Sequence, residues 1–322
     1  MKLQQLGKAG PLVSALGLGC NGLSLQRPRD DAESIATIQA SIDAGFTMLN
    51  TADFYGMGHN ETIIGRAIKG RRDQVFLSVK NGLMMSPTGA VLGLDGRPAA
   101  IKNFCSYSLQ RLGVDVIDLY QPGRPDPAVP YEDTIGAIAD LITDGKVRYL
   151  GVSEVGADHL RRANAVHPVT ALEIEYSLAC RFIEREILPT ARELGVAVIA
   201  YRVLADGLLS GALASEPTGR LTPPRLQGEN FTHNVAVVAQ LVEMAKARGC
   251  TAAQISVAWL LSRGADIFAL IGMSKRSRLA ENLGVLDIKL DAGELAALEE
   301  IFAPGVITGE RYPAFVQKFA AN

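Results

Sequence analysis

Two residues at the ends of neighbouring apolar runs, a tyrosine and a lysine, have the types and spacing for chemistry. The run Phe46-Thr47-Met48-Leu49 passes into Asn50-Thr51-Ala52-Asp53-Phe54-Tyr55-Gly56-Met57-Gly58-His59-Asn60-Glu61, a loop with two glycines and several polar groups. The run Val75-Phe76-Leu77 delivers Lys80. Hydride delivery to a carbonyl creates an alkoxide, so an acid must stand beside the developing charge. A free phenol, with a pKa of about 10, is a poor donor at neutral pH unless a cation stabilises its phenolate. Lys80 is placed to give Tyr55 that cation. A lysine held out of water ordinarily needs a carboxylate, and Asn50 accepts a hydrogen bond without bringing charge.

Such residues collect in the loops after the carboxyl ends of strands in repeating strand–helix proteins. The candidate strands are Ala15–Cys20, Phe46–Asn50, Val75–Lys80, Val116–Tyr120, Val147–Val152, Ala171–Glu175, Ala197–Tyr201 and Ile267–Ile271. Helical spacing fills the intervals at Ala32–Ala44, Ala99–Arg111, Thr134–Thr143, Ala157–Ala165, Glu184–Leu194, Val235–Ala247 and Ala252–Arg263. Gly45, Gly113, Gly145 and Gly195 punctuate helix ends just before strands. Eight strands close a parallel barrel. No G-x-G-x-x-G follows the first strand and the order never breaks into halves, so a (β/α)8 TIM barrel is favoured over an open doubly wound sheet. Met1–Ser14 reads as a hairpin plugging the barrel bottom, and Asp291–Phe302 as an added C-terminal helix presenting Leu295, Leu298 and Ile301 on one face. The connection Leu208–Asn234 reads as a functional loop. A single domain, 1–322, is expected.

The bulk composition narrows the function classes. With 322 residues, 48% apolar, 20% charged and a formal charge of −2, the chain has material for a large core and no basic stripe for nucleic acid. No 18-residue apolar run suggests a membrane span, and Met1-Lys2-Leu3-Gln4-Gln5 does not open a signal peptide. Cys20, Cys105, Cys180 and Cys250 are scattered, as expected of reduced, mostly buried thiols in a cytoplasmic protein. No cluster has metal-ligand spacing. The expected partner is a small-molecule substrate, with homo-oligomerisation open.

Six motifs in order carry a family resemblance: N-T-A-D-F-Y-G-x-G-x-N-E at 50–61, V-F-L-S-V-K at 75–80, R-L-G-V-D-V-I-D-L-Y-Q at 111–121, G-K-V-R-Y-L-G-V-S-E at 145–154, E-Y-S-L at 175–178 and S-K-R-S-R-L-A-E-N-L at 274–283. The chain resembles a bacterial-type member of the aldo-keto reductase superfamily from about residue 2 to about residue 313. The resemblance implies a barrel that binds NADP(H) across its C-terminal face and a catalytic group of Asp, Tyr, Lys and His. Tyr55 and Lys80 match the tyrosine and lysine. Asn50 stands at the aspartate position and Gly123 at the histidine position, so half of the group is replaced.

The same resemblance distributes the cofactor. Ser274, Lys275 and Arg278 fall on the segment that grips the adenosine 2′-phosphate, with Glu281 and Asn282 towards adenine. Tyr176 falls on the ring stacked against nicotinamide, Ser153 and Glu154 on its carboxamide contacts, and Arg202 and Leu204 on the pyrophosphate loop, which departs from the family's S-P-L; Arg202 either grips the pyrophosphate or closes over the site from the rim. Glu173 replaces a glutamine that holds the carboxamide; it either keeps that contact or restores the charge missing at Asn50. Asp53 is a second acid that either compensates or caps its loop. Gly123 removes an imidazole and leaves room for a bulkier substrate or a water. Arg124 is an anion contact or a structural arginine. His59 caps a helix or joins the site; His159, His167 and His233 read as ordinary residues. The expected activity is NADPH-dependent hydride transfer to or from an aldehyde, ketone or sugar-like carbonyl or alcohol. The alternatives are enone or imine reduction or isomerisation with bound cofactor, or an NADPH-binding sensor with little turnover.

Overall fold

The structure is a computed structural model that describes residues 1–25, 30–86, 89–219 and 222–317. An antiparallel hairpin, β1 (Leu3–Gln5) and β2 (Leu12–Ser14), precedes the barrel strand β3 (Leu16–Gly19). The strands β4 (Met48–Ala52) and β5 (Phe76–Asn81) follow, then a short ribbon of β6 (Leu83–Met85) and β7 (Val91–Leu94). The barrel continues through β8 (Ile117–Pro122), β9 (Val147–Ser153), β10 (Val169–Glu175), β11 (Ala197–Tyr201) and β12 (Ile267–Gly272). β3, β4, β5, β8, β9, β10, β11 and β12 close a parallel eight-stranded barrel, the expected (β/α)8 architecture.

Helices at Asp31–Asp43, Pro98–Leu112, Tyr131–Thr143, Ala157–Val166, Ile187–Leu194, Gly228–Arg248 and Ala252–Ser262 pack outside it. Gly113 and Gly195 end their helices at φ 65° and 72°, a left-handed turn for which glycine carries no Cβ penalty. The expected helix at Glu184–Leu194 is broken into a 3-10 turn, Phe182–Glu184, and a shorter helix. A helix at His59–Ala67 and the β6–β7 ribbon are additions to the sequence reading. Among the described residues no helix is long and apolar enough to cross a membrane.

Parity along the strands builds the interior. Side chains alternate faces with period two, so Met48, Phe76, Leu119, Ala171, Ala197, Ile199, Phe268 and Leu270 fill the barrel. Leu6 and Val13 of the hairpin join this interior cluster, and Lys8 N donates to Gly195 O at 2.7 Å just before β11. The hairpin therefore plugs the amino-terminal end, as expected. The helix Ala292–Ile301 is capped by Asp291, whose side chain and that of Glu294 satisfy each other's backbone amides.

Candidate active site

Two residues further along the same parity, the interior turns polar. Asn50 on β4, Ser78 and Lys80 on β5, Gln121 on β8, Ser153 on β9, Glu173 on β10 and Tyr201 on β11 all follow in alternation from the apolar interior. Backbone register places Asn50 beside Ser78, Lys80 beside Gln121 and Ser153 beside Glu173. Above them lies a cavity of about 620 Å³, lined by residues that include Tyr55, Lys80, Glu173, Ser153, Gly123, Arg124, Tyr201 and Arg202.

Glu173 is the hub of the floor. Its Oε1 accepts from Lys80 Nζ at 2.8 Å; its Oε2 accepts from Asn50 Nδ2 at 2.6 Å and Gln121 Nε2 at 2.5 Å. Lys80 Nζ also donates to Asn50 Oδ1 at 2.7 Å, and Asn50 Nδ2 reaches Ser78 Oγ at 3.1 Å. Of the two readings for Glu173, the geometry takes the charge-partner one: both oxygens are occupied by side chains of the chain itself. Burial opposes the Lys80 charge, but Glu173 and then Tyr55 together more than offset it and hold the ammonium above its ordinary pKa.

Tyr55 stands over this pair, with Lys80 Nζ 5.3 Å from the ring centroid. Burial raises the phenol above its ordinary pKa; Lys80 pulls it down and Glu173 pushes it up again. Tyr55 therefore keeps its proton at neutral pH. The Asp53 carboxyl makes no ion pair with Lys80 among the described residues; its backbone N donates to Lys80 O at 3.0 Å. The carboxyl faces the Gly82 and Phe54 amides, and burial, followed by Glu61, pushes it up to about 8.

Gly123 lines the cavity; a Cβ there would lie 3.2 Å from Asn81 O and 3.4 Å from the Phe54 ring, so Phe54 borders the space beside it. Phe54 in turn stacks edge-on against Tyr55 with centroids 5.1 Å apart. His59 opens the helix at 59–67 and meets Asp31 at 3.0 Å, away from the cavity wall.

Two expected cofactor contacts lie elsewhere. Tyr176 is fully buried outside the cavity wall; its ring packs against Trp259 and its hydroxyl donates to Glu184 at 2.7 Å. It follows β10 off the interior parity, whereas Tyr201 completes that parity on β11 and faces the cavity. Glu154 is likewise withdrawn: it is buried against Arg311 at 2.7 Å, and Tyr201 Oη donates to it at 2.7 Å. Arg311 and Tyr312 escaped the sequence reading because they come from the far end of the chain. Burial would raise the Glu154 pKa, but the Arg124 and Arg311 charges hold it down at about 2.

Arg202 lines the cavity and is held by Asp206 at 3.1 Å, Glu175 at 3.6 Å and the Tyr312 ring at 4.5 Å. Leu204 lines the same wall. Glu154, Arg202, Ala205 and Asp206 all have φ between 48° and 59°, non-glycine residues in the left-handed region clustered at the mouth. The rim segment begins just past the cavity-lining Gly272. Arg276 pairs with Glu33 at 2.9 Å, Arg278 with Glu281 at 2.9 Å, and Asn282 reaches Met273 Sδ at 3.5 Å. Ser274 and Lys275 lie at its start, where Lys275 is exposed.

A nicotinamide cofactor fits these residues. Ser153 Oγ is buried in the cavity wall with no hydrogen-bond partner, as a carboxamide site requires, and a Cβ on Gly272 would meet nothing within 4 Å.

The comparisons with known proteins agree with this geometry. The glycerol dehydrogenase of Gluconobacter oxydans is 30% identical, with 95% of this chain and 97% of that chain covered and a TM-score of 0.86. An aldo/keto reductase from Klebsiella pneumoniae, solved with NADP and acetate, is 28% identical over 97% of this chain and 99% of its own, with a TM-score of 0.77. A thermostable aldo-keto reductase solved with the inhibitor epalrestat is 30% identical over 94% of this chain and all of its own, with a TM-score of 0.77. The sequence profile of the aldo/keto reductase family matches residues 15–303, and the chain belongs to that family of oxidoreductases.

Proposed function

We propose that the protein is an NADPH-dependent reductase of carbonyl compounds, aldehydes, ketones or sugar-like molecules, with the reverse oxidation of the alcohol available. The observation that carries this reading is the buried Tyr55–Lys80–Glu173 cluster at the cavity floor. The relatives' names support it: one is named for glycerol and another was solved with NADP.

When bound, NADPH would supply the hydride that reduces the carbonyl carbon. Ser153 is the carboxamide contact, Tyr201 the aromatic wall, Arg202 and Leu204 the phosphate loop. Ser274, Lys275 and Arg278 form the cationic rim for the 2′-phosphate, with Glu281 and Asn282 beside the adenine.

Tyr55 Oη gives its proton to the carbonyl oxygen as charge develops there, so the substrate gains one hydride and one proton. Lys80 holds the resulting phenolate, which recovers its proton from solvent. Asn50 and Gln121 fix the carboxylate of Glu173, and Glu173 keeps Lys80 charged in a place where burial alone would strip its proton. The missing aspartate is thus replaced from the opposite side of the barrel.

Tyr55→Phe tests the reading. NADPH consumption across a panel of aldehydes and ketones is expected to fall by at least about 100-fold, the scale of a positioned acid. NADPH affinity, read by fluorescence, stays within about two-fold. Wild-type turnover in this variant removes Tyr55 from the mechanism.

A further inference from the structure

A cluster of charged groups reaches the upper cavity wall at Arg124, Arg202 and Asp206. Arg225, Arg311, Glu154 and Glu175 lie behind them, so the cluster holds four arginines and three carboxylates. Arg311 takes Glu154 and Glu175, Arg202 takes Asp206 and Glu175, and Arg225 takes Glu175 at 2.5 Å and Asp206 at 3.4 Å. Arg124 has no carboxylate within ion-pair distance among the described residues. Its guanidinium donates only to neutral oxygens: Gly123 O at 2.6 Å and Tyr312 Oη at 3.1 Å. Glu154 feels its charge but gives its oxygens to Arg311 and Tyr201. A guanidinium has five donors in a fixed fork, so Arg124 retains capacity to bind an anion.

Arg124 lines the cavity together with Tyr55 and Gly123, and its charge acts on the Tyr55 phenol. It also faces away from the cofactor's cationic rim. In the ring of strands β8 stands four places from β12 in either direction, so Arg124, after β8, and Ser274–Arg278, after β12, occupy opposite sides of the mouth. Glu154 acts on Arg124 at longer range but keeps its oxygens for Arg311 and Tyr201, so a ligand anion can take the donors that Arg124 leaves unused. Phe54, Leu83, Val91 and Val316 line the same cavity with apolar surface for the part of a molecule between two polar ends.

We propose that Arg124 anchors a carboxylate on the substrate, so that the preferred substrates are carbonyl compounds carrying a carboxylate at their far end. The inference rests on Tyr55 marking the reacting end of the cavity, as in the proposed function. Binding of the carboxylate at Arg124 then points the carbonyl at Tyr55, and the specificity belongs to a residue beside the replaced histidine position.

Matched probes test it on the full, NADPH-loaded chain: 4-carboxybenzaldehyde, its methyl ester, and benzoate as a non-reacting ligand. The wild type is expected to favour the acid over the ester. Arg124→Gln should raise the KM of the acid about 10- to 100-fold, the range of a lost charge-assisted contact. The KM of the ester, kcat and the NADPH affinity should stay within about two-fold. Arg124→Lys, which keeps the charge but loses the fork, should fall between, and it serves as the second variant if the glutamine protein does not fold. Equal losses for acid and ester, or an unchanged acid preference in both variants, overturn the assignment. Benzoate binding separates this inference from the redox reading. If neither aldehyde is reduced but benzoate binds and Arg124→Gln abolishes that binding, the anion site stands and the reductase reading falls. Benzoate that does not bind, or binds both proteins equally, overturns the site.

Discussion

Lys80 is a cation almost without water, its side chain 6% exposed, and among the described residues its carboxylate partner is Glu173, itself 4% exposed. The energetics of such a pair are asymmetric. Replacing both partners by well-packed apolar groups is often tolerated, but removing one leaves a buried uncompensated charge and costs about 3–5 kcal/mol. Glu173→Gln is therefore expected to lower stability by about that amount and to depress reductase turnover, measured by denaturant unfolding and NADPH consumption. Asn50 gives a sharper test, because its Oδ1 touches the same Nζ at 2.7 Å from β4, across the barrel from β10. In Asn50→Asp with Glu173→Gln the carboxylate changes strand while the charge count stays the same. The double variant should regain most of the stability and turnover lost in Glu173→Gln. A double variant no better than Glu173→Gln would mean that Glu173 acts through its hydrogen bonds to Asn50 and Gln121, not through charge. Asn50→Asp alone puts two carboxylates on one lysine, and their repulsion should cost stability.

Around this floor the elements divide into those that carry the site and one that closes over it. The C-terminal segment after residue 302 returns to the mouth, where Arg311 lies between Glu154 and Glu175 and Tyr312 and Val316 enter the cavity wall. Glu154 is held at about 2, below its unfolded value of 4.5, so its contribution is present above the unfolded pKa and is lost as pH falls through that window. The clasp should stay closed through neutral and mildly acidic pH. Arg311→Met removes its charge and leaves Glu154 buried with fewer partners. Limited proteolysis at pH 7 should then cut residues 303–317 at least about ten-fold faster than in the wild type, the change in opening that about 1.4 kcal/mol gives. Unchanged cleavage would place the hold on the segment elsewhere, in the contacts of Tyr312. The clasp also marks where sequence reading stops. All eight barrel strands were legible from apolar runs and turn residues; Tyr55 and Lys80 stood out by their places at strand ends, and Glu173 only through the family resemblance. Tyr176 was misplaced because neighbourhood to a strand was weighed above parity: Ala171 and Glu173 set the interior face of β10, and Tyr176 lies off it. The same rule applied to Ala197 and Ile199 points to Tyr201, and applied to Leu119 it points to Gln121. No local signal existed for Arg311, which meets Glu154 from 157 residues away. The β6–β7 ribbon was hidden because glycine and proline interrupt its alternation.

At the scale of the whole molecule, the barrel separates stability from chemistry along its axis. The polar layer, the cavity and the strained loops lie at the carboxyl ends of the strands, while the amino-terminal end is sealed by the hairpin through Leu6 and Val13. Leu6 is fully buried among Phe268, Ala197 and other interior residues. Between it and Lys80 stand the apolar residues Met48, Phe76 and Leu119, a close-packed layer that keeps the plug out of contact with the polar floor. Leu6→Ala removes the plug's largest side chain and leaves a cavity, so stability to denaturant should fall by about 2–5 kcal/mol. Below the unfolding transition, kcat and KM for a carbonyl substrate should remain within about two-fold of the wild type. A drop in kcat at temperatures where the variant is fully folded would show that the interior layers couple the two ends. The plug would then tune the position of Lys80 as well as close the barrel.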